Sequence, residues 1–387
     1  MDDIIYMDHS SSTPTNQKVI EAMAPYFNKY YGNPLSLYAL AQESAKAREA
    51  AREKVAKLLN AKVGEIIFTS GGTEANNFAI KGVAFANENR GNHIITSKIE
   101  HHSVLNTCKW LEKRGFNVSY IGVDKYGIVD LDELENSITD KTILITIMHA
   151  NNEVGTIEPL SEIARVAKDN NIYLHTDAVQ TVGKVKVEVN ELGVALLTLS
   201  GHKFYGPKGV GALFIKKGTK IDPLLHGGHH EQNKRAGTEN VPGIVGLGVA
   251  CEIAMEEMGE ENKRLRDLRD SLEEGLTERI EDVIVNGHPE KRLSGVLNIC
   301  IKHIEGESML LHLDNNSIAA SSGSACTSGS LEPSHVLTSM GIPPEVAHGS
   351  LRFSLGHSNT IHDINKVIEV LPQIVKKLRE MSPLTKE

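Results

Sequence analysis

A chain of 387 residues has room for one large and one small domain, each with an ordinary core, or for two or three domains. With 40% hydrophobic and 24% charged residues it is globular in composition, and a net charge of −9 with both signs interspersed argues against a dedicated nucleic-acid surface. Four widely spaced cysteines without a CxxC pair argue against a disulfide framework or a Cys-only zinc site. The longest apolar runs, TILITIM and ALLTL, are too short to span a bilayer, and the acidic opening MDDIIYMDHS lacks the pattern of a signal peptide. A cytoplasmic protein that binds neither membrane nor nucleic acid is expected.

In chain order, EIIFTS, HIITS, TILITIMHA, IYLHTDA, ALLTLS and VGALFI are short, β-branched and bounded by turn residues, which predicts buried strands. Helical patterns lie between several of them. SEIARVAKDNN, for example, opens on a predicted Ser161 cap with Glu162 behind it. Such alternation predicts an α/β fold whose mostly parallel sheet is flanked by helices. A helical stretch comes next, over about Pro242–Arg279. GVLNICI, SIAAS and SLRFSL then read as strands of a smaller α+β unit, and an amphipathic helix containing Pro372 ends the chain. The expected division is a large domain over 15–257 and a small one formed by 1–14 and 258–387.

Ligands gather at the carboxyl ends of parallel strands, so the residues after each strand carry the chemistry. GGTEANN comes after the first. Its Gly71 and Gly72 turn the chain and a helix begins near Thr73, as an anion site or as an ordinary strand-to-helix turn. His101 or His102 comes after the second, suited to stacking on an aromatic ligand or passing a proton, and equally to a structural role. Asn151 and Asn152 come after the third, where Asn is commonplace in turns. Asp177 ends the fourth with Gln180 three residues on; it is either a helix cap or a carboxylate that needs a cationic partner. SGHKFYGPKG comes after the fifth. A desolvated Lys203 amine there would be a nucleophile able to form a Schiff base. Cys326 stands apart in AASSGSACTSGSLEP, among small polar residues that offer a thiol no packing partner, whereas Cys108, Cys251 and Cys300 fall in apolar patterns and read as core.

The segments YMDHSSSTP, YYGNPLSLY, TSGGTEANN, MHANNEVGT, HTDAVQT and SGHKFYGPKG run in an order that resembles the fold type I, class V aminotransferase branch of pyridoxal-phosphate enzymes. RAGTENVPGIVG and ASSGSACTSGSLEPSHVL narrow the resemblance to NifS/IscS-type cysteine desulfurases over essentially the whole chain. The resemblance implies a transferase that converts L-cysteine to L-alanine with pyridoxal 5'-phosphate and loads sulfur onto Cys326 as a persulfide, for iron–sulfur cluster or other thio-cofactor synthesis. It implies that Lys203 binds the cofactor and moves the α-proton. Asp177 would pair with the ring nitrogen, Gln180 with the phenolic oxygen, and His101 would stack on the ring and serve in acid–base steps. Gly72, Thr73, Ser200 and His202 would cradle the phosphate, joined by Thr238 from the partner of a homodimer. Asn152 and Arg352 would position the substrate, the Arg fork suiting a carboxylate. Catalysis would rest on Cys326, Lys203 and His101.

No intrinsic metal site is expected: His226, His229 and His230 have no cysteine nearby and have Glu231 as their one adjacent acid. Cys326 remains a candidate iron–sulfur ligand when a scaffold protein or other sulfur acceptor is bound. Tyr38 stands where many relatives have His and carries no assigned role. Competing readings are another enzyme of the same fold, such as an aminotransferase or a selenocysteine lyase, and a sulfur carrier without turnover.

Overall fold

The short β-branched runs bury on both faces and become the strands of a computed structural model that describes residues 4–322 and 332–381. The strands are β1 (Ile5–Tyr6), β2 (Ile66–Thr69), β3 (His93–Ser97), β4 (Asn117–Ile121), β5 (Thr142–Thr146), β6 (Tyr173–Asp177), β7 (Leu196–Ser200), β8 (Gly211–Ile215), β9 (Val283–Asn286), β10 (Val296–Ile301), β11 (Ile318–Ala319) and β12 (Ser350–Ser354). Seven form one sheet in the order β2-β8-β7-β6-β5-β3-β4. β4, β3, β5, β6 and β7 pair in parallel, while β8 is antiparallel to β7 and to β2. The chain between Ser200 and Gly211 carries no α-helix, and a parallel return needs a crossover of a dozen or more residues.

Helices cover both faces of this sheet. Phe78, Ile80 and Val83 from helix Gly72–Ala86 and Leu111 from helix His102–Glu112 pack on Ile94, Leu144, Leu196 and Leu213. Val55 and Leu59, Ile163, and Leu247 pack on the opposite face with Ile145, Leu197 and Phe214. A third core gathers β10, β12 and helix Ile361–Met381 beside the antiparallel sheet β12-β10-β9. The 39-residue helix Val241–Arg279 serves two of these cores. Leu247, Cys251 and Ala254 belong to the core of the large sheet, and Leu268, Leu272 and Leu276 to that of the small one. It passes residue 258 unbroken, so the change there is one of burial partner.

Two local expectations are corrected. The helix expected to start from a Ser161 cap runs Leu160–Asp169 behind Pro159, with no side-chain cap. The neighbouring Glu158 is turned inward, where its Oε2 accepts from the Val129 N–H. In SIAAS only Ile318 and Ala319 are strand, and they pair in parallel with β1. The same N-terminal segment reaches the small sheet through the bridge of Asp8 with Ser354.

Candidate active site

The carboxyl ends of β3, β5, β6 and β7 lie side by side, so the segments that leave them meet in one place. A cavity of about 390 Å³ is lined there by Gly72, Thr73, His101, Asn152, Asp177, Gln180, Ser200, His202, Lys203 and, from β12, Arg352. Residues that are distant in sequence thus share one pocket. Thr238 does not line it: it is exposed beside Arg235 and Asn240. Cys326 lies outside the described residues.

Lys203 sits in the turn that ends β7. Its Nζ donates to the carbonyls of Ser10 and Ser11 at 2.7 and 2.6 Å, so the N-terminal segment forms one wall of the pocket. Asp177, the last residue of β6, is 5% exposed. Its Oδ1 accepts from the Val179 N–H at 3.0 Å and its Oδ2 from Asn76 Nδ2 at 2.6 Å. No helix begins at Asp177, so it is not a helix cap, and its partners here are the neutral Asn76 amide and the Val179 N–H. The Asn76 amide also donates to Ser103 Oγ at 2.8 Å, and that oxygen lies 2.7 Å from His101 Nδ1. The backbone N–H of Ser103 points at the same Nδ1 at 3.1 Å. A backbone N–H can only donate, so Nδ1 is an acceptor and the neutral ring carries its proton on Nε2. Burial lowers the pKa of His101, against the opposing pull of Asp177. His102 instead packs on the His335 ring, centroids 4.9 Å apart.

Helix Gly72–Ala86 begins after Gly71 without a side-chain cap, and its free N–H groups suit an anion. Gly71 has φ +146, a backbone conformation open to glycine. At Gly72 a Cβ would stand 2.8 Å from Val179 Cγ2. Ser200 and His202 close this end, with His202 Nδ1 3.2 Å from Ser12 Oγ. Burial, helped by Lys203, brings the pKa of His202 down to about 4, so the ring is neutral at pH 7.

Arg352 is 3% exposed. Its Nη1 donates to the Asn152 carbonyl at 2.9 Å and its Nη2 to Asp8 Oδ1 and Ser11 Oγ at 2.7 and 2.8 Å. The guanidinium is thereby held in a fixed plane. Gln180 Nε2 donates to the Ser10 carbonyl at 2.9 Å, and Lys184 Nζ donates to Gln180 Oε1 at 3.0 Å.

Sequence reasoning passed over Asn76, Ser103, Ser10, Ser11 and Lys184. Ser10 and Ser11 act through backbone carbonyls, which leave no trace in residue type. Asn76 lies one turn into the helix after the double glycine, which was the one available signal. The histidines at 226–230 do not gather around an acid: Glu231 is buried, bidentate to Arg52 at 2.7 Å and accepting from the Phe68 N–H at 2.7 Å. Among the described residues no group of three or more His, Cys, Asp or Glu is placed to hold a metal ion, and no helix is long and apolar enough to cross a membrane.

Pyridoxal 5'-phosphate fits this donor set. The pocket brings together an uncapped helix N-terminus with hydroxyl and imidazole groups, a buried carboxylate and an amine.

Residues 5–367 match the aminotransferase class-V family. The chain is 58% identical to the cysteine desulfurase IscS of Methanosarcina thermophila over 98% of its own length and 94% of the relative's. It is 55% identical to the cysteine desulfurase IscS of Dictyoglomus turgidum, covering 99% and 97%. Among solved structures, a NifS-like protein superposes with TM-score 0.92 at 39% identity, covering 97% of this chain and all of that one. SspA in complex with cysteine superposes with TM-score 0.81 at 37% identity, covering 91% and 98%. A family match that runs nearly end to end, on a fold shared with NifS-like proteins, places this chain in the aminotransferase class-V family.

Proposed function

We propose that the chain is a cysteine desulfurase, which uses pyridoxal 5'-phosphate to convert L-cysteine to L-alanine and carries the sulfur away on Cys326. The observation that carries this reading is the meeting, in one cavity, of the Lys203 amine, the buried Asp177 carboxylate and the uncapped helix at Gly72. The relatives named cysteine desulfurase and the cysteine-bound neighbour support the choice of substrate.

When bound, pyridoxal 5'-phosphate supplies an electron sink conjugated to the substrate Cα. Gly72, Thr73, Ser200 and His202 would hold its phosphate, Asp177 its ring nitrogen, Gln180 its phenolic oxygen, and Lys203 its carbonyl carbon. The Asp177 charge, fixed by Asn76 and the Val179 N–H, would keep that nitrogen protonated. Arg352 and Asn152 would orient the substrate carboxylate, the guanidinium already being fixed in plane by Asp8. The Lys203 amine would take the proton from the substrate Cα and later return one to the product. The His101 Nε2–H, with its tautomer set by Ser103, would stand as the second proton donor. The Cys326 thiolate would attack the substrate sulfur. The S–Cβ bond breaks and an S–S bond forms, so that L-cysteine plus a thiol gives L-alanine plus a persulfide, with no external oxidant.

Thr238 stands exposed, as a residue reaching a partner's cofactor would, and the reading includes a homodimer with a scaffold protein or another sulfur acceptor downstream. Residues 15–257 would form the cofactor-binding unit, and 1–14 with 258–387 the unit that brings Arg352 and Cys326 to it. Alanine and persulfide formed from L-cysteine, with and without a thiol reductant, test the reading in the native chain and in Cys326→Ser. Alanine from the native chain alone is expected. Alanine from both would keep the lyase and remove Cys326 as the attacking group. Alanine from neither would overturn the reading.

A further inference from the structure

A glutamine amide has a donor end and an acceptor end of nearly equal size, and a neighbouring group decides which end faces a ligand. At Gln180 that neighbour is Lys184, whose Nζ donates to Oε1 at 3.0 Å. With the amine donating, Oε1 faces Lys184 and the amide N–H groups face the pocket. One of them donates to the Ser10 carbonyl, which also takes a hydrogen bond from Lys203 Nζ. Lys184, Gln180, Ser10 and Lys203 therefore form one connected chain.

Stability alone does not account for a lysine at this position. Lys184, half-buried, lines a partly open cavity of about 60 Å³ together with Lys203 and with His9, whose two ring nitrogens have no partner among the described residues. Its amine is directed to the neutral Gln180 amide and not to a carboxylate. Burial, with the charges of Lys203 and Arg352 adding to it, brings the pKa of that amine down to about 7. A cation so placed is costly, and a methionine would fill the same space without that cost. The orientation of Gln180 is what the cost returns.

We propose that Lys184 is a positioning residue, which locks the Gln180 amide so that its N–H end points at the phenolic oxygen of the bound cofactor. The inference rests on pyridoxal 5'-phosphate being that cofactor. It concerns the protonation of the phenolic oxygen: a fixed donor favours the ionised form, and a flipped amide would set two acceptors against each other.

The test is a pH titration of the absorbance of the chain loaded with pyridoxal 5'-phosphate, made on the native protein, Lys184→Met, Gln180→Leu and the double variant. Thermal unfolding of each variant confirms that it is folded. In Lys184→Met the midpoint should rise by about one pH unit, and pyridoxal 5'-phosphate should bind the apo chain about tenfold more weakly, the size of one hydrogen bond to a charged group. In the Gln180→Leu background the same substitution should shift the midpoint little, because the amide it acts through is gone. Equal shifts in both backgrounds would show that Lys184 acts through its charge and would overturn the inference, as would an unmoved midpoint. If Lys184→Met does not fold, Lys184→Gln, whose amide does not dictate the Gln180 orientation, should shift the midpoint the same way; no shift there would overturn the inference too. A native chain that takes up no pyridoxal 5'-phosphate would instead overturn the cofactor reading itself.

Discussion

Glu100 precedes His101 and is fully enclosed. Its Oε1 accepts from the Ser97 hydroxyl and the Met148 N–H, while Oε2 has no partner among the described residues. Burial, with the Asp177 charge adding to it, pushes its pKa up to about 8 against 4.5 for a free carboxyl. Between those values the folded chain holds a proton that the unfolded chain has released. The stability this group contributes is therefore full below about pH 4.5 and is lost as pH rises through about 8. Glu100→Gln, close in shape to the neutral acid, should lack that slope. The melting temperature of the native chain relative to the variant should fall as pH is raised from about 5 to about 8, and parallel profiles would show that the carboxyl is ionised when folded. The same residue marks what a sequence can reveal at this scale. Lys203, Asp177 and His101 were legible because each ends or closely follows a recognisable strand. Asn76 and Ser103, which hold Asp177 and His101 in place, are ordinary helix residues whose partners depend on how two helices pack.

Elements repeat the lesson with a different cause. Six strands of the large sheet were legible because burial on both faces makes continuous apolar runs, whereas the edge strand β4, only partly buried, was missed. The reversed direction of β8 was not, because direction depends on the connection and not on composition. The start of the helix at Leu160 was misread because Ser161 has a cap's chemistry without a cap's position. One element holds strain that composition does not disclose. Glu231, Gln232 and Asn233 all have left-handed backbones, with φ of 45°, 58° and 65°. Such conformations cost about 1–2 kcal/mol per non-glycine residue. The buried Arg52–Glu231 pair holds the turn in place. Gln232 is exposed, so Gln232→Gly should relieve strain without loss of packing and stabilise the fold by up to about 1 kcal/mol, once the added freedom of the unfolded chain is set against it. Denaturant unfolding reads this directly, and a lower midpoint at unchanged slope would contradict it.

At the scale of the whole molecule, the cores of the large and small sheets share helix Val241–Arg279. Unfolding one of them frays a helix that the other buries, which couples them. Calorimetry of the native chain should show one cooperative transition, and Leu276→Ala, in the core of the small sheet, should lower it as a whole by about 2–5 kcal/mol. Two separated transitions, with only one moved by the substitution, would show that the helix does not couple them. The pairing of β1 with β11 has a further consequence, one of timing. Residues 5–6 leave the ribosome well before their partners at 318–319 have been made. Asp8 likewise waits for Arg352 and Ser354. The Ser10 and Ser11 carbonyls that hold the Lys203 amine are seated by those contacts, whereas the large sheet can form from segments already translated. During biosynthesis the scaffold of the pocket therefore precedes its last wall, and the pocket is complete only after residues 318–354 have been made.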